Sequence, residues 1–282
     1  MTVISVLGTK GGVGKSTVAM GVAIWVSKLN PKQRVLLIDG DLHVRSAELK
    51  MCPARDVTLA DVLAGEKEWE DAVYTCELVS GGKVLYPNLA VVPAGGRFLP
   101  RIESDSALAY LDHTKRIFDK MMSTLREEFD TIIIDTPASV SYEHLILTAA
   151  ADRILYVCEA NDDSINSTFS TARGLARFME VEPIGVVLSK VMDSVEVEPW
   201  TKKVSEIAPM LGIVPFDPAV DDAFRDNLPV VAAHPNSPSS LAMKEITKKL
   251  TKVKVPKPAE LPKRLDLAVK KVAARVEAKG SR

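Results

Sequence analysis

A chain of 282 residues can bury one substantial core or two small ones. With 46% hydrophobic and 26% charged residues it has ordinary globular composition, which excludes collagen-like, disordered and disulfide-scaffold classes. The net charge of −1 hides an asymmetry: residues 251–282 carry ten Lys or Arg against Glu260, Asp266 and Glu277, a surplus of +7 that leaves −8 on residues 1–250. No apolar run approaches the roughly 20 residues of a membrane-spanning helix, and residues 1–8 lack a charged-then-apolar export signal, so a cytoplasmic location is expected. Cys52, Cys76 and Cys158 stand apart, without CxxC or Cys/His spacing, which argues against disulfides, zinc and iron–sulfur clusters.

In chain order, short apolar runs recur at 3–7, 35–39, 89–93, 131–135, 153–157, 184–188 and 212–215. They are apolar throughout rather than alternating, the mark of strands buried on both faces. Between them lie stretches of helical spacing. Val18, Ala19, Val22, Ala23, Val26 and Leu29 share one face over 17–29, as do Ile117, Met121, Met122 and Leu125 over 114–129. Alternating strand and helix predict an α/β fold, one doubly wound and mainly parallel sheet flanked by helices, spanning residues 1–250. Ligands of such sheets sit at the carboxyl ends of the strands. Residues 251–262 read as a Pro/Lys-rich linker, and residues 263–282 as a basic amphipathic helical tail.

The first strand runs into KGGVGKST, residues 10–17, and then a helix, the setting of a phosphate-binding loop. Gly11, Gly12, Val13 and Gly14 bring backbone N–H groups together around phosphate oxygens, at a helix N-terminus whose dipole favours anions. Lys15 can reach the β- and γ-phosphates, Ser16 can ligate Mg²⁺, and Thr17 completes the motif. The general pattern places a glycine at position 9, but Thr9 stands there and Lys10 follows. The motif resembles the deviant Walker A sequence of the MinD/ParA ATPases, and the likeness extends over residues 2–250. It implies a P-loop NTPase fold that binds ATP or ADP with Mg²⁺. It also implies an ATP-dependent homodimer in which Lys10 crosses to the nucleotide of the other subunit. There it would act like an arginine finger, placing positive charge where the transferring phosphoryl group becomes more negative.

Three carboxylates end apolar runs. Asp39 and Asp41 close VLLIDGD, and residues two apart on an extended chain project to one side, so both can face a metal and an attacking water. Spacing does not separate their roles. The family resemblance implies that Asp39 holds a Mg²⁺-bound water and that Asp41 orients the hydrolytic water. Asp135 closes TIIID in a Walker B setting, where a hard cation favours an oxygen ligand. The family pattern continues D-[ST]-P-A-G, and Ser139 stands at the glycine, which bears on the switch backbone and on hydrolysis rate.

After the strand at 184–188 the family supplies an asparagine to the adenine edge, whereas this chain has Ser189, which offers one contact where an amide offers two, so that base selectivity is looser. Pro215, Phe216 and Asp217 lie in a segment resembling the one that lines the base. The acidic run at 217–222 is expected to face solvent, and ANDDS, residues 160–164, reads as a turn or helix cap.

The tail has Leu265, Ala268, Val269, Val272, Ala273 and Val276 on one face and lysines and arginines largely elsewhere. MinD proteins end in an amphipathic helix that binds anionic membrane, and the sign of charge and placement here match. Alanine and valine bury little area, so a single helix would insert feebly and pairing two would raise avidity. The resemblance therefore implies an ATP hydrolase that cycles on and off the inner face of the cell membrane or a protein effector, positioning division, motility or other machinery. DNA as the bound surface, as in ParA, and a nucleotide-gated scaffold with little turnover are the alternatives.

Overall fold

A computed structural model describes residues 2–42, 50–52, 55–80, 82–95, 104–137, 142–179, 181–193, 195–253, 266 and 270. Ser139, the linker beyond Val253 and the tail other than Asp266 and Lys270 lie outside the described residues.

The strands are β1 (Thr2–Leu7), β2 (Val35–Asp39), β3 (Tyr74–Thr75), β4 (Val79–Ser80), β5 (Lys83–Val84), β6 (Leu89–Val92), β7 (Thr131–Asp135), β8 (Arg153–Glu159), β9 (Pro183–Val191) and β10 (Met210–Pro215). The helices are α1 (Lys15–Leu29), α2 (Leu59–Leu63), α3 (Ser104–Glu128), α4 (Tyr142–Ala149), α5 (Asp162–Met179), α6 (Glu198–Val204), α7 (Pro218–Arg225), α8 (Val230–Ala233) and α9 (Pro238–Leu250). An eight-stranded sheet runs in the order β10-β9-β8-β1-β7-β2-β6-β3. Every pairing in it is parallel except β3 with β6. This is the doubly wound α/β sheet that the apolar runs predicted.

The sheet is buried on both faces because side chains alternate between two cores. β1 sends Val3 and Leu7 to one and Ile4 and Val6 to the other, while β2 divides Leu36 and Ile38 from Val35 and Leu37. On the first face, α3 contributes Phe118, Met121, Met122 and Leu125, all essentially inaccessible. On the second, α1 lies under α9. A Cβ on Gly21 would meet the Met243 sulfur at 2.3 Å, so glycine here lets the two helices pack without displacing that side chain.

Two details depart from the sequence reading. α3 begins at Ser104, ten residues ahead of the stretch at 114–129 from which its apolar face was read, so that Leu108 and Leu111 belong to the same helix. The two-residue strands β3, β4 and β5 are too short to show a period. Cys52, Cys76 and Cys158 are all buried.

Candidate nucleotide-binding site

The loop from Gly8 to Gly14 joins β1 to α1. Gly12 and Gly14 adopt φ of 79° and 90°, left-handed conformations that favour glycine. Gly14 precedes α1 without a side-chain cap, which leaves the first N–H groups of the helix available to an anion. A Cβ on Gly11 or Gly12 would meet open space, whereas Val13 is buried in the core and anchors the loop from beneath. The contribution of Val13 to a phosphate is therefore its backbone. Lys15 is 7% exposed, and its Nζ donates to the Lys10 carbonyl at 3.4 Å. Burial lowers the Lys15 pKa, against the opposing pull of Asp135 and Asp41, which sets this ammonium in the field of both carboxylates.

Asp39 and Asp135 end neighbouring strands and are register partners across β2 and β7, at the usual strand spacing of about 4.8 Å. Both are buried. Asp41 donates its backbone N–H to Asp39 Oδ1 at 3.2 Å, so the turn after β2 is folded onto the first carboxylate. Burial pushes Asp135 up to about 7, opposed by the Ser16 hydroxyl and by Lys15, with Asp41 adding to the rise. Ser16 lies beside Asp135 but only loosely, because neither Asp135 oxygen has a partner at hydrogen-bond geometry. Thr9 Oγ1, in the same loop, is also buried without one. A desolvated carboxylate lacking donors is costly unless a cation completes it. Ser16, Asp135 and Asp39 thus form an all-oxygen set that fits Mg²⁺.

Beside α1 a cavity of about 190 Å³ is walled by Gly14, Thr17, Ser189, Pro215, Phe216 and Asp217. Segments far apart in sequence meet here because β9 and β10 are adjacent at the sheet edge. Ser189 is 3% exposed, and its Oγ lies 2.8 Å from where a Cβ on Gly14 would stand. Phe216, at 54% exposed, presents its ring at the mouth.

Asp217 departs from the expectation that the run 217–222 faces solvent. It is buried, while Asp221 and Asp222 are exposed as expected. Its Oδ1 accepts from Ala219 N–H at 3.0 Å and caps α7, and its Oδ2 accepts from Ser239 N–H at 3.0 Å and the Ser239 hydroxyl at 2.7 Å. Burial alone would raise its pKa, but those donors together with the Ser237 hydroxyl outweigh it and the net shift is downward. Its carboxylate binds two helices together, so it meets the cavity as part of the wall.

Lys10 stands apart from these groups. Its side chain is 44% exposed, and its Nζ lies 3.5 Å from Asp163, itself 87% exposed, in the first turn of α5. Just before that helix Asn161 Oδ1 accepts from Ser164 N–H at 2.9 Å, so ANDDS is the cap its composition suggested. An ion pair this exposed adds little to stability and leaves the lysine free to move.

Two residues escaped the sequence reading. Lys190 follows Ser189 on the cavity wall with φ of 56°, a left-handed conformation uncommon outside glycine. Lys50 is buried with its Nζ 3.7 Å from the centre of the Phe224 ring, where burial lowers its pKa and Asp39 raises it. The only sequence signal for Lys50 was a lysine in the apolar setting LKMC.

A family model described as an AAA domain matches residues 1–180. An uncharacterised ATP-binding protein of Methanocaldococcus jannaschii is 28% identical over 254 residues, covering 88% of this chain and 86% of that one. The antiactivator FleN of Pseudomonas aeruginosa is 24% identical, covering 88% and 85%. The chain belongs to the MinD/ParA-like ATPase family. Its fold agrees: the crystal structure of the Pyrococcus furiosus cell division ATPase MinD superposes with a TM-score of 0.74 at 25% identity, covering 89% of this chain and 98% of that one. Among the described residues no helix is long and apolar enough to cross a membrane.

Proposed function

We propose that this chain is an ATP-driven dimerisation switch, closing on a second copy over bound nucleotide and reopening after hydrolysis. The observation that carries this reading is the contrast between the two lysines of the loop. Lys15 is buried among the carboxylates of its own subunit, while Lys10 is exposed and pairs, among the described residues, with a solvated aspartate. A lysine so placed can serve a nucleotide bound by another copy.

In this reading the loop N–H groups and Lys15 bind the β- and γ-phosphates, and Asp41 orients the attacking water. Ser16, Asp39 and Asp135 hold Mg²⁺, directly or through its waters, and the ion supplies charge neutralisation to the phosphates. Lys10 of each copy reaches the phosphoryl group of the other, where negative charge grows in the transition state. Names borne by relatives, an antiactivator and a cell division ATPase, support a role in regulating or positioning machinery through an effector. The basic tail supports contact with anionic membrane at the inner face of the cell. The −8 charge of residues 1–250 disfavours duplex DNA as the surface.

Sedimentation velocity with Mg²⁺ and a nonhydrolysable ATP analogue tests the switch: the protein should dimerise with the analogue and remain monomeric with ADP. Lys10→Ala should lower turnover about 100-fold while leaving ADP affinity within about twofold. A monomer under saturating analogue, or full turnover without Lys10, would refute the proposal.

A further inference from the structure

A helix that walls a binding cavity must be held in place, and α7 has little apolar surface to hold it. Its eight residues send Ala223 into the core, whereas Asp221, Asp222, Phe224 and Arg225 are exposed. Yet Val220 and Asp221 form one side of the cavity beside α1. At the amino end of α7 the Asp217 cap ties the helix to Ser239 of α9.

At the other end the holding group is Lys50. Met51 and Cys52, which follow it, are inaccessible in the second core, and the Met51 carbonyl accepts from Glu77 N–H at 2.9 Å, so this piece of chain is a fixed point. Lys50 is 5% exposed, and its Nζ lies 3.7 Å from the centre of the Phe224 ring in the last turn of α7. Because Phe224 is 60% exposed, apolar burial does little to fix that turn and the ammonium over the ring does more. A hollow between α1 and α7 is walled by Thr17, Met20, Lys50, Val220 and Phe224, and Thr17 and Val220 wall the larger cavity as well. Lys50 therefore stands behind the α7 side of that cavity, with Val220 between.

Burying an ammonium is costly, and methionine would fill a similar length without that cost. Two neighbours favour the charge here. The Phe224 ring attracts it through its quadrupole, and the field of Asp39 opposes the effect of burial. Asp39 ends β2, so one ammonium interacts with both the acidic edge and α7.

We propose that Lys50 is a positioning residue of the nucleotide site: seated on Phe224, it holds the last turn of α7, and with it Val220 and Asp221, in the place that a bound base requires. Lys50 acts through α7 and not by touching the nucleotide. This role rests on the reading of the cavity as part of a nucleotide site and adds the group that fixes one of its walls.

Calorimetric titration of the full chain with MgADP tests the role on wild type, Lys50→Met, Phe224→Leu and the double variant. Each single substitution should weaken MgADP about fivefold, the scale of one cation–π contact. The double variant should bind no worse than the weaker single, since both remove the same contact. Lys50→Arg, which keeps a cation for the ring, should bind within about twofold of wild type. In turnover, both single variants should raise KM for ATP by the same factor of about five and lower kcat by less than about twofold. Urea unfolding of the same proteins separates positioning from packing: lost stability with MgADP affinity unchanged makes Lys50 purely structural and overturns the proposal. Additive losses in the double variant, or no recovery with arginine, overturn it as well. A wild-type chain that binds no MgADP removes the nucleotide reading itself, whereas variants that match a binding wild type remove the role of Lys50 alone.

Discussion

Two buried aspartates at opposite edges of the sheet show how the molecule separates stability from chemistry. At the amino edge, Asp152 precedes β8 and has donors for both oxygens. Val3 N–H reaches Oδ2 at 2.8 Å, and Arg126 from the end of α3 reaches Oδ1 at 2.8 Å and Oδ2 at 3.4 Å. At the carboxyl edge, Asp135 ends β7 with both oxygens buried and neither hydrogen-bonded. The chain is able to build a satisfied interior carboxylate and does so where nothing needs to bind. Where it leaves one unmet, beside Ser16 and Lys15, the proposed Mg²⁺ is the partner it lacks.

The largest test of this contrast is to remove each carboxylate in turn. Asp152→Ala should cost about 3 kcal/mol of stability, because it strands a buried guanidinium and the Val3 N–H, and should leave turnover per folded molecule unchanged. Asp135→Ala should leave stability in the absence of metal and nucleotide unchanged or slightly higher, yet lower ATP turnover about 100-fold or more. Urea unfolding and phosphate release, measured on both variants, give four numbers with opposite patterns. Equal destabilisation by the two substitutions would break the comparison.

The two edges also differ in how far they can be read from sequence. The carboxyl edge lies in contiguous strings: KGGVGKST supplies the loop, and Asp39 and Asp135 each close an apolar run that becomes β2 or β7 with those bounds. The strands were legible because burial on both faces demands uninterrupted apolar residues. Pairings between distant segments were not legible. The donors to Asp217 include Ser239, 22 positions away, and Lys50 meets Phe224 from across the chain. Local composition does not specify such partners, and so Asp217 was expected in solvent. The left-handed backbone of Lys190, within β9 but beyond the apolar run at 184–188, leaves no mark in the sequence.

A smaller effect probes the seam between loop and cavity. Gly12→Ala and Gly14→Ala both impose a left-handed conformation on alanine, at about 1–2 kcal/mol. A Cβ at position 12 meets nothing within 4 Å, while at position 14 it lies 2.8 Å from Ser189 Oγ. Gly14→Ala should therefore be the less stable of the two in the absence of nucleotide, by about 1 kcal/mol of overpacking. Equal unfolding midpoints would mean that Ser189 does not press on the loop.

The smallest effect asks whether position at the carboxyl edge is enough to make an aspartate functional. Asp217 lies at that edge but is satisfied like Asp152, so it should behave like Asp152. Asp217→Asn keeps one acceptor and loses the charge that strengthens the caps of α7 and α9, a cost of about 1 kcal/mol, with MgADP affinity altered less than about threefold. The hydrogen bonds hold the folded-state pKa below its ordinary value. The advantage of wild type over the variant is then complete above about pH 4 and shrinks as acid protonates the folded carboxylate. Unfolding curves for the pair at pH 7 and pH 3 read that loss directly. A large fall in nucleotide affinity at unchanged stability would show that satisfaction of a carboxylate does not separate structural from functional groups in this sheet.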